Sequence, residues 1–289
     1  MSRLLCVLIL AGFALTAAAQ TNPVIYPATG VVVAVSPADK QVTIKHDAIR
    51  GYMQAMTMPF DVPDTNLLTG LASGDVVSFR ILVTTNRGWI DQLHKTGAHS
   101  NLPPTSGPLR LVRDVAPLAP GDLLPDYQLT NQLGNAFSTA QFRGQALAIT
   151  FLFTRCPFPN FCPLMANNFA DAQKKLLAAP HAATNWQLLT ISFDPEFDTP
   201  AVLRRYAEAH DADPTHSTYA TGALIDITAI SEQFGLTFWK DDGGGIINHN
   251  LRTIVIDASG RVQKVFTGNT WHPEELVAEI EKAAKVPKQ

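Results

Sequence analysis

Cysteine is the scarcest residue type that matters in this chain: there are three among 289 residues, Cys6, Cys156 and Cys162. A protein stapled by disulfides spreads many more across its loops, so a disulfide scaffold is excluded. No C-x-x-C pair is present either, which speaks against a dedicated thiol redox motif. Charge of one sign is lacking as well. Twenty-two Lys and Arg against 25 Asp and Glu leave −3, too weak a field to gather nucleic acid or an anionic membrane surface. Long apolar runs are missing: residues 4–15 form the longest, and a spanning helix needs about 20. Internal repeats and low-complexity tracts are absent.

What is there begins with a leader. Ser2-Arg3, the apolar run 4–15, and Ala17-Ala18-Ala19 before Gln20 have the order of a signal peptide over residues 1–19. The expected mature chain is exported to an oxidising compartment, with no membrane insertion once the leader is cleaved and a membrane tether if it is not. Cys6 leaves with the leader, so Cys156 and Cys162 remain as one close pair, better suited to chemistry than to stapling.

Residues 20–27 read as a flexible start. Short strands follow at 30–35, 41–46 and 53–60, with a hairpin of 76–83 and 89–94, and this predicts a small all-β barrel of OB type over residues 20–96. Residues 97–117, rich in Gly, Ser, Asn and Pro, read as a linker. From 118 to 289 strands alternate with helices. An apolar strand at 146–153 and a helix at 163–178 precede a strand at 186–193, a helix opening at Thr199-Pro200, a helix at 226–234, a hairpin of 252–257 with 262–266, and a last helix at 273–284. That order is thioredoxin-like α/β. The fold class is therefore two domains, an all-β OB-type barrel and a thioredoxin-like fold.

Two clusters carry chemistry. Met53, Met56 and Met58 are three of only five methionines. Met56 and Met58, two apart on a strand, share a face that His46 reaches if its strand pairs with theirs. Thioethers and an imidazole suit Cu(I) or Ag(I) where thiolates would be oxidised, although methionine also serves as plain core filling. Cys156 and Cys162 flank a turn between strand and helix. Pro163 fits the first helical position, and the positive helix end favours a Cys162 thiolate. The pair can form a disulfide closing a short loop, worth about 2–3 kcal/mol, or bind a soft metal with His249 as third ligand. A loop histidine is otherwise most often merely solvated. His94, His99, His181, His210, His216 and His272 read as surface residues, Asp194 as a turn residue, and Phe234, Phe238 and Trp239 as core.

The stretch Ile44-Lys45-His46 to Met56-Thr57-Met58-Pro59-Phe60 with Gly74-Asp75-Val76 resembles the CusF family of periplasmic copper and silver chaperones over residues 29–95. The resemblance implies Cu(I) ligation by His46, Met56 and Met58. Met53 stands where that family places a Trp over the metal, and it offers a further sulfur. Phe151 to Pro157 with Cys162-Pro163, the run Asp194-Pro195-Glu196-Phe197-Asp198-Thr199-Pro200, and Asn248-His249-Asn250 are similar to the Sco/SenC family over residues 116–285. That resemblance implies a thioredoxin-fold, periplasmic protein holding Cu(I) or Cu(II) on Cys156, Cys162 and His249. Its copper goes to a recipient such as a cytochrome c oxidase subunit; a copper-efflux component is the other partner class. Two departures stand out: C-x5-C replaces the family's C-x3-C, and Asn248 and Asn250 replace Asp and Ser beside the histidine. The rival function is a thiol–disulfide oxidoreductase that uses Cys156 and Cys162 to reduce a recipient's cysteines.

Overall fold

The computed structural model describes residues 22–53, 55–84, 87–98, 115–179, 183–240 and 247–287. The leader, most of the expected linker, His99 and His181 lie outside them. Among the described residues no helix is long and apolar enough to cross a membrane.

Five strands make the first sheet: β1 (Val24–Ser36), β2 (Gln41–His46), β3 (Met56–Asp61), β4 (Asp75–Val83) and β5 (Gly88–Ala98). They lie antiparallel in the order β3-β2-β1-β4-β5, and β5 comes back towards β3, which gives the sheet its barrel-like form. β2 and β3 alternate buried and less buried residues, as a strand with one face on a core must. β1 begins at Val24, where a flexible start was expected, because Val24 to Val31 pair with Val83 to Val76 of β4. The third strand begins at Met56; Met53 sits outside it, bridged to Ile49 in the preceding turn. Gly30 is obligatory where β1 crosses the end of β2. A Cβ there would lie 2.6 Å from the Lys45 carbonyl oxygen and 2.8 Å from His46 Cα.

The second sheet contains β6 (Gln128–Asn131), β7 (Ala136–Ser138), β8 (Ala146–Leu152), β9 (Trp186–Ser192), β10 (Ser217–Thr221), and, after a separate two-stranded ribbon of β11 (Phe238–Lys240) and β12 (Ile247–His249), β13 (Arg252–Ile256) and β14 (Val262–Thr267). Its order is β14-β13-β8-β9-β10-β6-β7, with β8, β9 and β10 parallel and the flanking pairs antiparallel. The helices are α1 (Cys162–Ala178), α2 (Pro200–Ala209), α3 (Leu224–Gln233) and α4 (Pro273–Ala283). Every residue of β8 is buried. Ala146 and Ala148 face a cluster with Met165, Phe169 and Leu176 of α1 and Leu276 and Ile280 of α4. Leu147, Ile149 and Phe151 face the opposite cluster with Ile227 and Ile230 of α3. Such two-sided covering is what a parallel sheet needs, and the small alanines admit the helix pair.

Some expectations change here. Thr199 takes the cap position of α2, but its side chain makes no capping bond; Pro200 in the first turn sets the helix start instead. β6, β7, β10 and the ribbon, too short and polar to show a period, were not expected. His210 and His216 are half-buried rather than on the surface, each bonded through Nδ1 to a carbonyl, and His216 stacks on Trp186 at 3.9 Å. Phe234 is core, whereas Phe238 and Trp239 are half-buried on the ribbon.

Candidate metal centre

The end of β8 feeds residues 153–161 into the N-terminus of α1, which starts at Cys162 with Pro163 in its first turn. Two acids from the turn after β9 shape this approach. The fully buried Asp198 carboxylate accepts from Thr154 N at 3.0 Å, Thr154 Oγ1 at 2.5 Å and Ser192 Oγ at 2.5 Å. Asp194, also fully buried, pairs with Arg155 Nη2 at 2.5 Å and lies 3.3 Å from Lys240 Nζ. Its own carbonyl accepts from Phe197 and Asp198, so it makes the expected turn and anchors Arg155 besides. The Arg155 guanidinium covers the Phe197 ring at 4.0 Å. Thus the two residues before Cys156 are fixed by charge and hydrogen bonds rather than by regular structure. Asp198→Asn puts an amide N–H against donors, and a loss of about 2–4 kcal/mol follows in urea unfolding of the full chain; an unchanged midpoint would refute this role.

His249 is not in a loop. It ends β12, opposite Phe238, and only 6% of it is exposed. Phe153, Phe161 and Phe193 surround its ring at centroid distances of 5.5, 5.6 and 5.1 Å. Nε2 lies 3.1 Å from Cys162 Sγ, and the donor atoms of Cys156, Cys162 and His249 all fall within 4.8 Å of one another. Two sulfurs and an imidazole that close are a ready three-coordinate soft-metal set. Asn250, beside the histidine, accepts from Thr237 N and donates to the Gly235 carbonyl, tying the chain that leaves β12 to the segment that enters β11.

The thiols are electrostatically unequal. Burial pushes both up, and for Cys162 the neighbouring Cys156 sulfur pushes it further, so Cys162 holds its proton. Cys156 goes the other way: against the burial penalty, hydrogen bonds from Cys162 and His249 and the charge of His249 hold its pKa well below the usual thiol value. The thiolate therefore sits on Cys156. Cys162, despite its helix terminus, is the donor because it is the more deeply buried. In the reduced full chain at pH 7, iodoacetamide carboxamidomethylates Cys156 at least about ten-fold faster than Cys162, and the Cys156 rate drops only when pH falls through its lowered pKa. Peptide mass spectrometry reads the order; preferential labelling of Cys162 would reverse the assignment.

In the barrel, β2–β3 register places His46 opposite Met56 and Ile44 opposite Met58. His46, Met56 and Met58 are 1%, 6% and 4% exposed, and Met53 joins the same apolar cluster at 6%. His46 Nδ1 lies 2.8 Å from the Asp47 carbonyl oxygen. A carbonyl only accepts, so Nδ1 carries the proton and the Nε2 lone pair is the one left for a metal. Strand pairing thus brings His46 and Met56 together as expected, with Met58 on the same face and Met53 in the adjoining turn.

Phe158 and Asn160 carry no recognised signal in the sequence, and Asn248 stands out there only as a departure beside the histidine, yet all three bridge the sheets. Asn248 Oδ1 accepts from Thr57 N at 2.7 Å, and Asn160 Nδ2 donates to Asp61 and to the Gly88 carbonyl. The hints are the length of the cysteine loop that contains two of them and the Asn that replaces Asp before His249.

A family model described as SCO1/SenC matches residues 116–285, and one described as copper binding periplasmic protein CusF matches residues 25–95. A SCO2-like protein from Rickettsia felis is 28% identical over 148 residues, covering 49% of this chain and 67% of that protein. The SCO1 protein homolog of Bacillus subtilis is 25% identical over 162 residues, covering 55% of this chain and 81% of the other. Among solved structures, a SCO1/SenC family lipoprotein from Bacillus anthracis is similar with a TM-score of 0.51 at 27% identity, over 60% of this chain and 100% of that one.

Proposed function

Because the chain belongs to the SCO1/SenC family, we propose that it is an exported, periplasmic metallochaperone that binds copper and passes it to a recipient protein. Copper-site assembly of cytochrome c oxidase is the first candidate destination. The observation that carries this reading is the convergence of Cys156, Cys162 and His249 within 4.8 Å. Two sulfurs and one imidazole leave a position open for an incoming ligand, which is what handing over an ion requires. His46, Met56 and Met58, with Met53 beside them, supply a second set of soft donors for Cu(I). In this scheme residues 20–96 form one copper module, 118–289 the other, and 97–117 connect them.

Cu(I) is cargo here, and the protein's own groups do the rest. Cys156, with its lowered pKa, is the readier thiolate, while Cys162 gives up a proton as the ion arrives, so uptake at this site weakens as pH falls. The aromatic box around His249 keeps water off the sulfurs and fixes the ring. Asp198 and Asp194 hold the loop that presents Cys156.

The second reading, a thiol–disulfide oxidoreductase, is favoured by the same inequality of the thiols: a thiolate beside a protonated partner is the usual arrangement for attack on a disulfide. One experiment separates the two. The fully reduced chain is titrated with Cu(I) against a chromogenic chelator and assayed for reduction of a model disulfide. Tight uptake at both sites with negligible turnover supports the chaperone. Rapid turnover with copper uptake confined to the barrel would replace it with the enzyme.

A further inference from the structure

The barrel and the thioredoxin-like module meet through the cysteine loop itself. Phe158, two residues after Cys156, is 2% exposed and packs edge-on against Phe60 of β3 at 5.9 Å, with Tyr52 at 6.4 Å. Room for the ring exists only because residue 88 is glycine: a Cβ there would come within 2.9 Å of Phe158 Cζ. Asn160, equally buried, donates to Asp61 Oδ2 and to the Gly88 carbonyl, each at 2.9 Å. Asn269 braces it by donating to its carbonyl at 3.0 Å. These are desolvated, directional bonds between two modules, and each would leave a buried polar group unpaired if the faces were mismatched.

The placement ties the contact to both donor sets. Thr57, whose N–H bonds to Asn248, lies between Met56 and Met58; Asn248 directly precedes His249. Phe158 and Asn160 lie between Cys156 and Cys162. A shift of one module against the other must therefore pull on residues adjacent to ligands on both sides.

We propose that this contact is a latch: Phe158, Asn160 and Asn248 close the barrel over the thiol–imidazole site, so that Cu(I) moves between the two donor sets behind one interface and reaches another protein only when the interface opens. The inference rests on reading both donor sets as Cu(I) sites. The transfer is a ligand exchange without redox change. Bonds from thioether sulfur and His46 to the ion break as bonds from the Cys156 and Cys162 sulfurs form, the copper stays Cu(I), and the Cys162 proton passes to solvent. A recipient competes for the face that the barrel covers, so the latch sets the rate of release.

The test uses the full chain with Gly88→Val, which wedges the interface from the barrel side, and Phe158→Ala, which empties it from the other. Circular dichroism identifies which variants fold. In the metal-free protein, small-angle scattering and hydrogen exchange at the Thr57 amide report docking. Both variants are expected to raise the radius of gyration and to lose Thr57 protection, as is Asn248→Ala for the amide. Loaded with Cu(I), they should release it to bathocuproine disulfonate about ten-fold faster than the parent. Unchanged scattering and unchanged Thr57 protection in every folded variant would overturn the latch. Opened variants that release Cu(I) at the parental rate would overturn its control of transfer. A parent that bound no Cu(I) would remove the transfer together with the copper reading, while scattering and exchange would still decide the docking.

Discussion

Serine at both Cys156 and Cys162 removes one equivalent of Cu(I) from the reduced full chain, and His249→Ala keeps that equivalent but binds it about a hundred-fold more weakly, ~2.7 kcal/mol. The difference follows from the geometry. Two sulfurs within 4.8 Å of each other are enough to hold Cu(I) in two-coordination. The imidazole, 3.1 Å from Cys162 Sγ, supplies the third bond and the shielding aromatic box. Because the ring is buried among phenylalanines, alanine leaves a cavity as well, and a stability loss accompanies the affinity loss. Competition against a chelator of known affinity separates the two, since it reads copper binding in a protein whose folding is monitored independently. An affinity unmoved by His249→Ala would exclude the imidazole from the site and leave only a dithiol, shifting the balance to the oxidoreductase.

Met56→Leu with Met58→Leu gives the second large effect. Leucine nearly matches methionine in volume, and such exchanges in a core cost less than about 1.5 kcal/mol each. Both residues are almost fully buried on the inward face of β3, so the barrel should remain folded. Sulfur is the only thing lost, and with it the soft donors that His46 Nε2 needs as companions. The full chain should take up one equivalent of Cu(I) less, with its thermal midpoint within a few degrees of the parent. Uptake identical to the parent, in a folded variant, would show that the methionines serve packing alone.

How much of this could be read from the residues depends on how local each cause was. The apolar run that became β8, the alternation of β2 and the thioether spacing on β3 are properties of neighbouring residues, and the structure has them where the pattern put them. The start of β1 was hidden because its order comes from β4, some 50 positions away, and not from its own sequence. β10 is short and polar, and it exists by pairing with β9. His249 looked like a loop residue because β12 is three residues long and finds its partner across a glycine-rich segment. The ranking of the two thiols was hidden for a different reason. A helix terminus is visible in sequence, whereas the extra burial of Cys162 and the approach of His249 to the pair are tertiary facts that outweigh it. Phe158, Asn160 and Asn248 act across modules, and no period or spacing announces such a partner.

The bond from Thr57 to Asn248 has one more outcome. β3 ends its sheet, so the amide of Thr57 points away from β2, where a strand from a second molecule could add on. The amide side chain before His249 occupies that position and makes β3 a poor template for self-association. Copies with the interface forced apart should therefore show concentration-dependent oligomers in sedimentation velocity that disappear on dilution, and unchanged sedimentation at every concentration would refute this reading of the β3 edge.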